Sequence, residues 1–150
     1  MSNIVTIKGK IKGILEAIVQ GDGTRKIVVV YNYPESNPTG YPYAWIDYKG
    51  DISEVHSNVQ DMVEYTFEVN LIQEKIEDFK GREDAETTAE GRAYDVNEAF
   101  RADNDLGLSD IIRVLPVETI KSYVDNATRI QIKIILKVQT LETITLSRSY

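Results

Sequence analysis

The sequence predicts an α+β fold: a mostly antiparallel sheet of long strands packed against two helices, in the order α-β-β-(β)-α-β-β. Two alternating segments carry that prediction. In Asp61–Leu71, the residues Val63, Tyr65, Phe67, Val69 and Leu71 alternate without a break with polar positions, the pattern of a strand with one buried face. In Thr128–Leu141, Ile130, Ile132, Ile134, Leu136 and Val138 do the same, opposite Gln131, Lys133, Lys137 and Gln139. A third observation is negative. Single strands do not alternate with helices along the chain, which favours an antiparallel α+β sheet over a parallel α/β one. At about 3.3 Å per residue a strand of roughly thirteen residues reaches about 40 Å, against about 38 Å for the width of a compact chain of this length. Such strands cross the whole domain or project from it, and projection favours assembly with other subunits over an enclosed catalytic pocket.

The remaining elements follow in order. From Asn3 to Val19, Ile4, Ile7, Ile11, Ile14, Leu15 and Ile18 recur at three- and four-residue intervals, giving an amphipathic helix with lysines outside. Gly9 and Gly13 each weaken it by about 1 kcal/mol relative to alanine, so packing on the sheet must supply most of its stability. Gly21-Asp22-Gly23 is a turn, and the β-branched run within Lys26–Tyr33 is a first strand. Pro34, Asn37, Pro38 and Gly40 make a loop, after which Tyr41–Tyr48 returns as an aromatic strand with Pro42 at its start or on an edge. Lys49-Gly50-Asp51 reads as a turn, and Ile52–Asn58 as a short strand or irregular loop. Asp84 is placed to cap a helix running to about Arg101, in which Ala85, Ala89, Ala93, Val96 and Phe100 share one face. Leu106–Ser109 separates it from Ile111–Tyr123, a strand-like segment interrupted by Pro116, and Asp125-Asn126 is the turn into the last strand. No internal repeat is evident.

Composition narrows the function classes. A chain of 150 residues, 42% hydrophobic and 27% charged, fits one globular domain (1–150) that buries roughly two thirds of its unfolded surface. The longest apolar stretches fall short of a membrane span, and Lys8, Lys10, Lys12 and Glu16 break the N-terminal segment, so a soluble cytoplasmic product with no signal peptide is expected. Without cysteine there is no disulfide framework, thiolate metal site or thiol nucleophile. The formal charge of −7, from 24 acidic and 17 basic residues, repels nucleic acid, yet it suits a channel through which DNA slides without sticking.

Candidate sites are few. His56 is the only histidine and reads as a solvated loop residue, with no partner motif for a base or metal ligand. Glu77, Asp78, Glu83, Asp84 and Glu86 lack calcium-loop spacing. Gly21-Asp22-Gly23 follows a helix instead of opening one and has no downstream phosphate-binding lysine. Ser109-Asp110 has no nucleophile elbow. Tyr41, Tyr43, Trp45 and Tyr48 are placed in the core or a subunit interface ahead of a stacking role. Glu64 and Glu68 on one strand, and Lys133 and Lys137 on another, share a two-residue phase. Either they face one another across paired strands or across subunits, setting register and partner choice, or they are ordinary polar-face residues.

Taken together, the N-terminal helix, the strand Gly40-Tyr41-Pro42-Tyr43-Ala44-Trp45-Ile46, the long strand Val63–Leu71, the alanine-rich helix and the closing pair of strands resemble the tail terminator and tail completion proteins of long-tailed bacteriophages over nearly the whole chain. The resemblance implies a virion protein, assembled in the host cytoplasm, that forms a homo-oligomeric ring, typically a hexamer, on the end of the tail tube. Its implied partners are copies of itself, the tail tube protein and the head connector or neck protein, with DNA passing through an acidic channel without specific binding. No cofactor, metal, membrane or enzymatic activity is implied, because stopping tube growth needs only a face that fails to recruit another tube subunit. The strands Val63–Leu71 and Ile130–Val138 would form the sheet used for subunit contact, making Glu64, Glu68, Lys133 and Lys137 the candidate interface. The loops Glu35–Gly40 and Glu77–Asp84, with Glu35, Ser36, Asn37, Glu77, Asp78, Lys80 and Arg82, would make the axial contacts. The alternatives are a head completion or stopper protein of the neck, or a small cellular ligand-binding or catalytic α+β domain using Trp45, the tyrosines and His56. Oligomeric form separates them: a closed ring with a channel, or a monomer with a deep pocket.

Overall fold

The computed structural model describes residues 4–55 and 60–143 of the chain; His56 and Asn3 therefore lie outside the described residues. Helix α1 (Ile4–Glu16) buries Ile7, Ile11 and Leu15, and Ile4, Ile14 and Ile18 pack alongside them, as the isoleucine spacing requires. Gly9 and Gly13 face open space. In the turn that follows, the Asp22 carboxylate accepts from the Thr24 amide at 3.0 Å and hydroxyl at 2.6 Å. The β-branched run expected as a strand from Lys26 is laddered only over β1 (Val29–Tyr31), which pairs in parallel with Tyr43–Trp45.

The other strands are β2 (Tyr43–Val55), β3 (Gln60–Lys75), β4 (Ile111–Val124) and β5 (Arg129–Thr143). They form one five-stranded sheet in the order β1-β2-β3-β5-β4, antiparallel except for the β1–β2 pair. The α+β fold with a mostly antiparallel sheet and two helices is therefore the one observed. A correction concerns Lys49-Gly50-Asp51, which is not a turn. Strand β2 runs through it with a β-bulge between Tyr48 and Gly50, and Gly50 takes φ +134°, a conformation that residues with a Cβ rarely adopt. Before the bulge Ala44, Ile46 and Tyr48 stand opposite Leu71, Val69 and Phe67; beyond it Asp51 and Ser53 stand opposite Tyr65 and Val63. The segment from Ile52 to Val55 is thus a continuation of β2.

After β3 the chain makes a 3-10 turn at Ile76–Asp78 and enters helix α2 (Arg82–Ala102). Asp84 does not cap this helix. Gly81 holds the N-cap position, and Asp84 lies in the first turn, where its carboxylate accepts the Lys80 amide at 3.3 Å. Ala85, Ala89, Ala93, Val96 and Phe100 are all buried, and these small residues bring the helix backbone close to the sheet. Strand β4 lies at the sheet edge with irregularities at Ile111–Arg113 and Pro116–Glu118, which is where a proline costs no ladder hydrogen bond. The β4–β5 turn at Asp125–Ala127 holds three successive residues with positive φ.

Both helices cover the same face of the sheet, α1 over β1 and β2, and α2 over β4 and β5. The core between them includes Phe67, Val69, Leu71, Ile132, Ile134 and Leu136. Two polar side chains on this face are fully buried, Gln73 and Thr140. Gln73 donates to Ala85 O at 3.2 Å and accepts from Arg92 at 2.6 Å, so it fixes the first turns of α2 to the end of β3. Arg92 continues to Glu74 at 2.8 Å.

Candidate assembly surface

On the face opposite the helices, the alternation of β3 and β5 presents the polar halves of both strands. Lys133 Nζ lies 3.3 Å from Glu68 Oε1, and Lys137 Nζ lies 3.8 Å from Glu64 Oε1. Lys49 bridges Glu68 at 3.4 Å and Asp47 at 3.1 Å, which raises the pKa of its ammonium, first through the hydrogen bond to Asp47 and then through attraction to both carboxylates. Around the ion pairs Gln139 donates to Glu64 at 3.0 Å, Gln131 to Asn70 at 3.0 Å and Lys137 to Thr66 at 2.7 Å. The pairing is diagonal, because Lys133 stands opposite Asn70 and Lys137 opposite Thr66.

Of the two arrangements open to Glu64, Glu68, Lys133 and Lys137, the structure shows the one within a chain. Their charges are matched internally. Strands β3 and β5 also occupy the middle of the sheet, with partners on both sides, so neither offers an edge to a second copy. Any contact with another subunit through these strands would use their polar face.

The candidate axial loops share one end of the sheet. The chain after β1 returns to start β2 at Tyr43, which is registered with Ile72 of β3, and β3 itself ends at Lys75, just before Glu77, Asp78 and Lys80. The first loop is tied by the Asn37 amide to the Glu35 carboxylate at 3.1 Å, with Ser36 exposed between them. Arg82, expected in the second loop, is instead the first residue of α2 and lies 5.2 Å from the ring centre of Tyr123. Both candidate loops therefore lie at the same end of the strands. The other end is formed by the β2–β3 hairpin, with Val55 registered to Asp61, and by the close of β5.

The aromatic strand packs on itself. Tyr43 is buried and lies 5.2 Å from Tyr41, 5.8 Å from Trp45 and 6.1 Å from Tyr31, centre to centre. Burial pushes its hydroxyl pKa up. The Arg129 guanidinium sits 3.7 Å from the centre of the Tyr41 ring and donates to Gln73 O at 2.9 Å. At the other end Tyr65 is buried and donates to Glu142 at 2.7 Å; burial, then that hydrogen bond, drives its pKa well above the usual phenol range. Arg92 and Arg129 were not legible as structural residues, since their partners lie far away in the sequence and no local pattern marks them.

A depression of about 180 Å³ on the polar face is lined by Ile52, Glu54, Met62, Glu64 and Gln139, a set with no nucleophile and base in reach of each other. Among the described residues no group of three or more histidine, cysteine, aspartate or glutamate side chains could hold a metal ion, and no helix is long and apolar enough to cross a membrane.

No protein-family model matches the chain, and no curated protein matches it in sequence. Its fold is similar to that of a chain in a solved structure described as the virion of a native gene transfer agent particle, with 12% sequence identity, 77% of this chain and 80% of that chain covered, and a TM-score of 0.55. At that identity the likeness is one of fold.

Proposed function

We propose that this chain is a structural protein of a phage-like virion that caps the tail tube as a ring, stops its growth and presents a surface to the head connector. The observation that carries the reading is the shared fold with a chain of the gene transfer agent virion, which extends over about four fifths of both chains. The chemistry of the polar face supports it. Glu64, Glu68, Lys133 and Lys137 are joined to each other, so none of these four is left poised for a substrate. A ring subunit needs instead a stiff sheet and distinct borders, and a tube cap needs two different ends. Loops 32–42 and 76–81 with the β4–β5 turn form one end, and the β2–β3 hairpin the other. On this reading the loop end and the hairpin end make separate axial contacts, one with the tube and one with the neck.

The test is negative-stain electron microscopy of the purified chain over a concentration series, alone and with tail tubes assembled from the tube protein of the same particle, paired with light scattering for mass. Open-centred rings near six subunits, or rings seated on tube ends, are expected. A strict monomer that neither forms rings nor decorates tube ends would overturn the assignment.

A further inference from the structure

The sheet has two unlike borders. One is β1 flanked by α1, and the other is β4 flanked by α2. Strand β4 exposes Leu115, Val117, Ile120 and Tyr123, at 36%, 51%, 40% and 38% of their surface. Leu115 and Ile120 stand opposite Lys137 and Lys133 on the polar face and Tyr123 opposite Ile130 on the helix side, so large apolar side chains flank both faces of a border that no other described strand covers. The opposite border exposes Val5, Val28 and Tyr33, at 79%, 47% and 72%. A monomer scatters single exposed apolar residues, whereas several of them gathered along one edge mark interaction surfaces.

Charge separates the same two borders. On α1, Val5, Lys8 and Lys12 follow one another at helical spacing, and Lys8 fixes this stripe to the β1 side by donating to Asn32 O at 2.8 Å with its ammonium 5.6 Å from the centre of the Tyr33 ring. On α2, Glu83, Glu86 and Glu90 form a stripe of the same kind, and Glu86 fixes it to the β4 side through the Tyr123 hydroxyl and through Lys121 at 3.6 Å. Lys12, Glu83 and Glu90 have no charged partner among the described residues.

We infer that copies of this chain associate head to tail, the β4 and α2 border of one packing against the α1 and β1 border of the next. The occupant is a second copy because the helix stripes of the two borders complement each other in charge and both borders expose large apolar side chains. Backbone strand addition is not the mode of contact. Pro116 and the irregular pairing on either side of it blunt the β4 edge, as exposed edges commonly are, so side chains make the match. A contact between two different surfaces repeats, and closes into a ring when the rotation allows. The inference rests on the assembly reading above and adds to it which residues meet.

Two charge-reversed chains test it: Lys8→Glu with Lys12→Glu, and Glu83→Lys with Glu90→Lys. Light scattering over a concentration series is expected to show wild-type assembly, and each variant alone needing about tenfold or more higher concentration, since like charges at an interface oppose association. The two variants mixed should assemble as wild type does, because each altered border then meets its complement. Circular dichroism checks that each variant is folded. If the variants do not fold, the natural absence of cysteine provides a second route. Oxidation of a Lys12→Cys, Glu90→Cys chain should give covalent multimers beyond the dimer, and either single variant none. Wild-type rings that persist unchanged in both reversed variants, or a double-cysteine chain that stays monomeric under conditions where rings form, would overturn this contact and leave the ring standing. No wild-type assembly at any attainable concentration or on tubes would overturn the ring, and the contact with it.

Discussion

On the helix-covered face of the sheet Phe67, Val69, Leu71, Ile134 and Leu136 are wholly buried, while on the opposite face the same two strands hold Glu64, Glu68, Lys133 and Lys137 in ion pairs. The strands are identical; only the phase of the side chain differs. Burial scales with apolar area and is worth about 1.5–3 kcal/mol for each fully buried large side chain, whereas a partly exposed ion pair contributes about 0–1 kcal/mol. The covered face therefore holds the fold together. The polar face adds matched charges across the strands, which favour this alignment over one that would set like charges together.

The largest expected effect lies on the covered face. Phe67→Ala should destabilise by about 3–5 kcal/mol through lost burial and the cavity left behind. The adjacent Thr66→Ala, on the polar face, should cost no more than about 1 kcal/mol; denaturant unfolding of both variants measures the contrast, and equal costs would break the comparison. Next is a polar side chain on the buried side of the divide. Gln73→Leu should cost about 1–3 kcal/mol, because it leaves Ala85 O without that donor and Arg92 without that acceptor, and amide hydrogen exchange should show the first turns of α2 loosening.

Alkaline titration probes Tyr65, at the distal margin of the covered face. Its folded-state pKa is raised above the ordinary 10.0, so the folded chain keeps a proton that the unfolded chain loses. That contribution is fully present below about pH 10 and is lost as pH rises beyond it. Melting temperature should fall above that point, and Tyr65→Phe should flatten the fall. The smallest effect is on the polar face: Lys133→Glu with Lys137→Glu should lower stability by about 1–2 kcal/mol in low salt and recover much of it in high salt. A loss as large as that of Phe67→Ala would show that this face carries stability after all.

Where periodicity was unbroken, the sequence was a good guide. Val63 to Leu71, Ile130 to Val138 and the Ala85-to-Phe100 stripe were readable because periods of 2 and 3.6 each leave a continuous record of one buried side. The neighbours of a strand leave no such record. Nothing local says that β3 pairs with β5 across the whole of α2 and β4, and the inward matching of the four charges follows from that pairing. The borders were hidden for the same reason. Lys8 and Glu86 become edge residues only once the sheet order is known, and Pro116 was the one signal that its strand ended the sheet. Gly50 misled in the other direction, since a glycine between a lysine and an aspartate carries the composition of a turn.

That glycine has a consequence for how the hairpin arm can evolve. Because one extra residue at the bulge inverts which way every later side chain of β2 points, Ile52 and Glu54 share the polar face with Lys133 while Asp51 and Ser53 occupy the helix side. The distal arm is thus decoupled in sequence from the proximal strand: its surface can be exchanged wholesale by gaining or losing a single residue, with Ala44 and Ile46 left in the core. A chain that must fit a new neighbour at its hairpin end can do so by one insertion or deletion, without redesigning the fold that carries it.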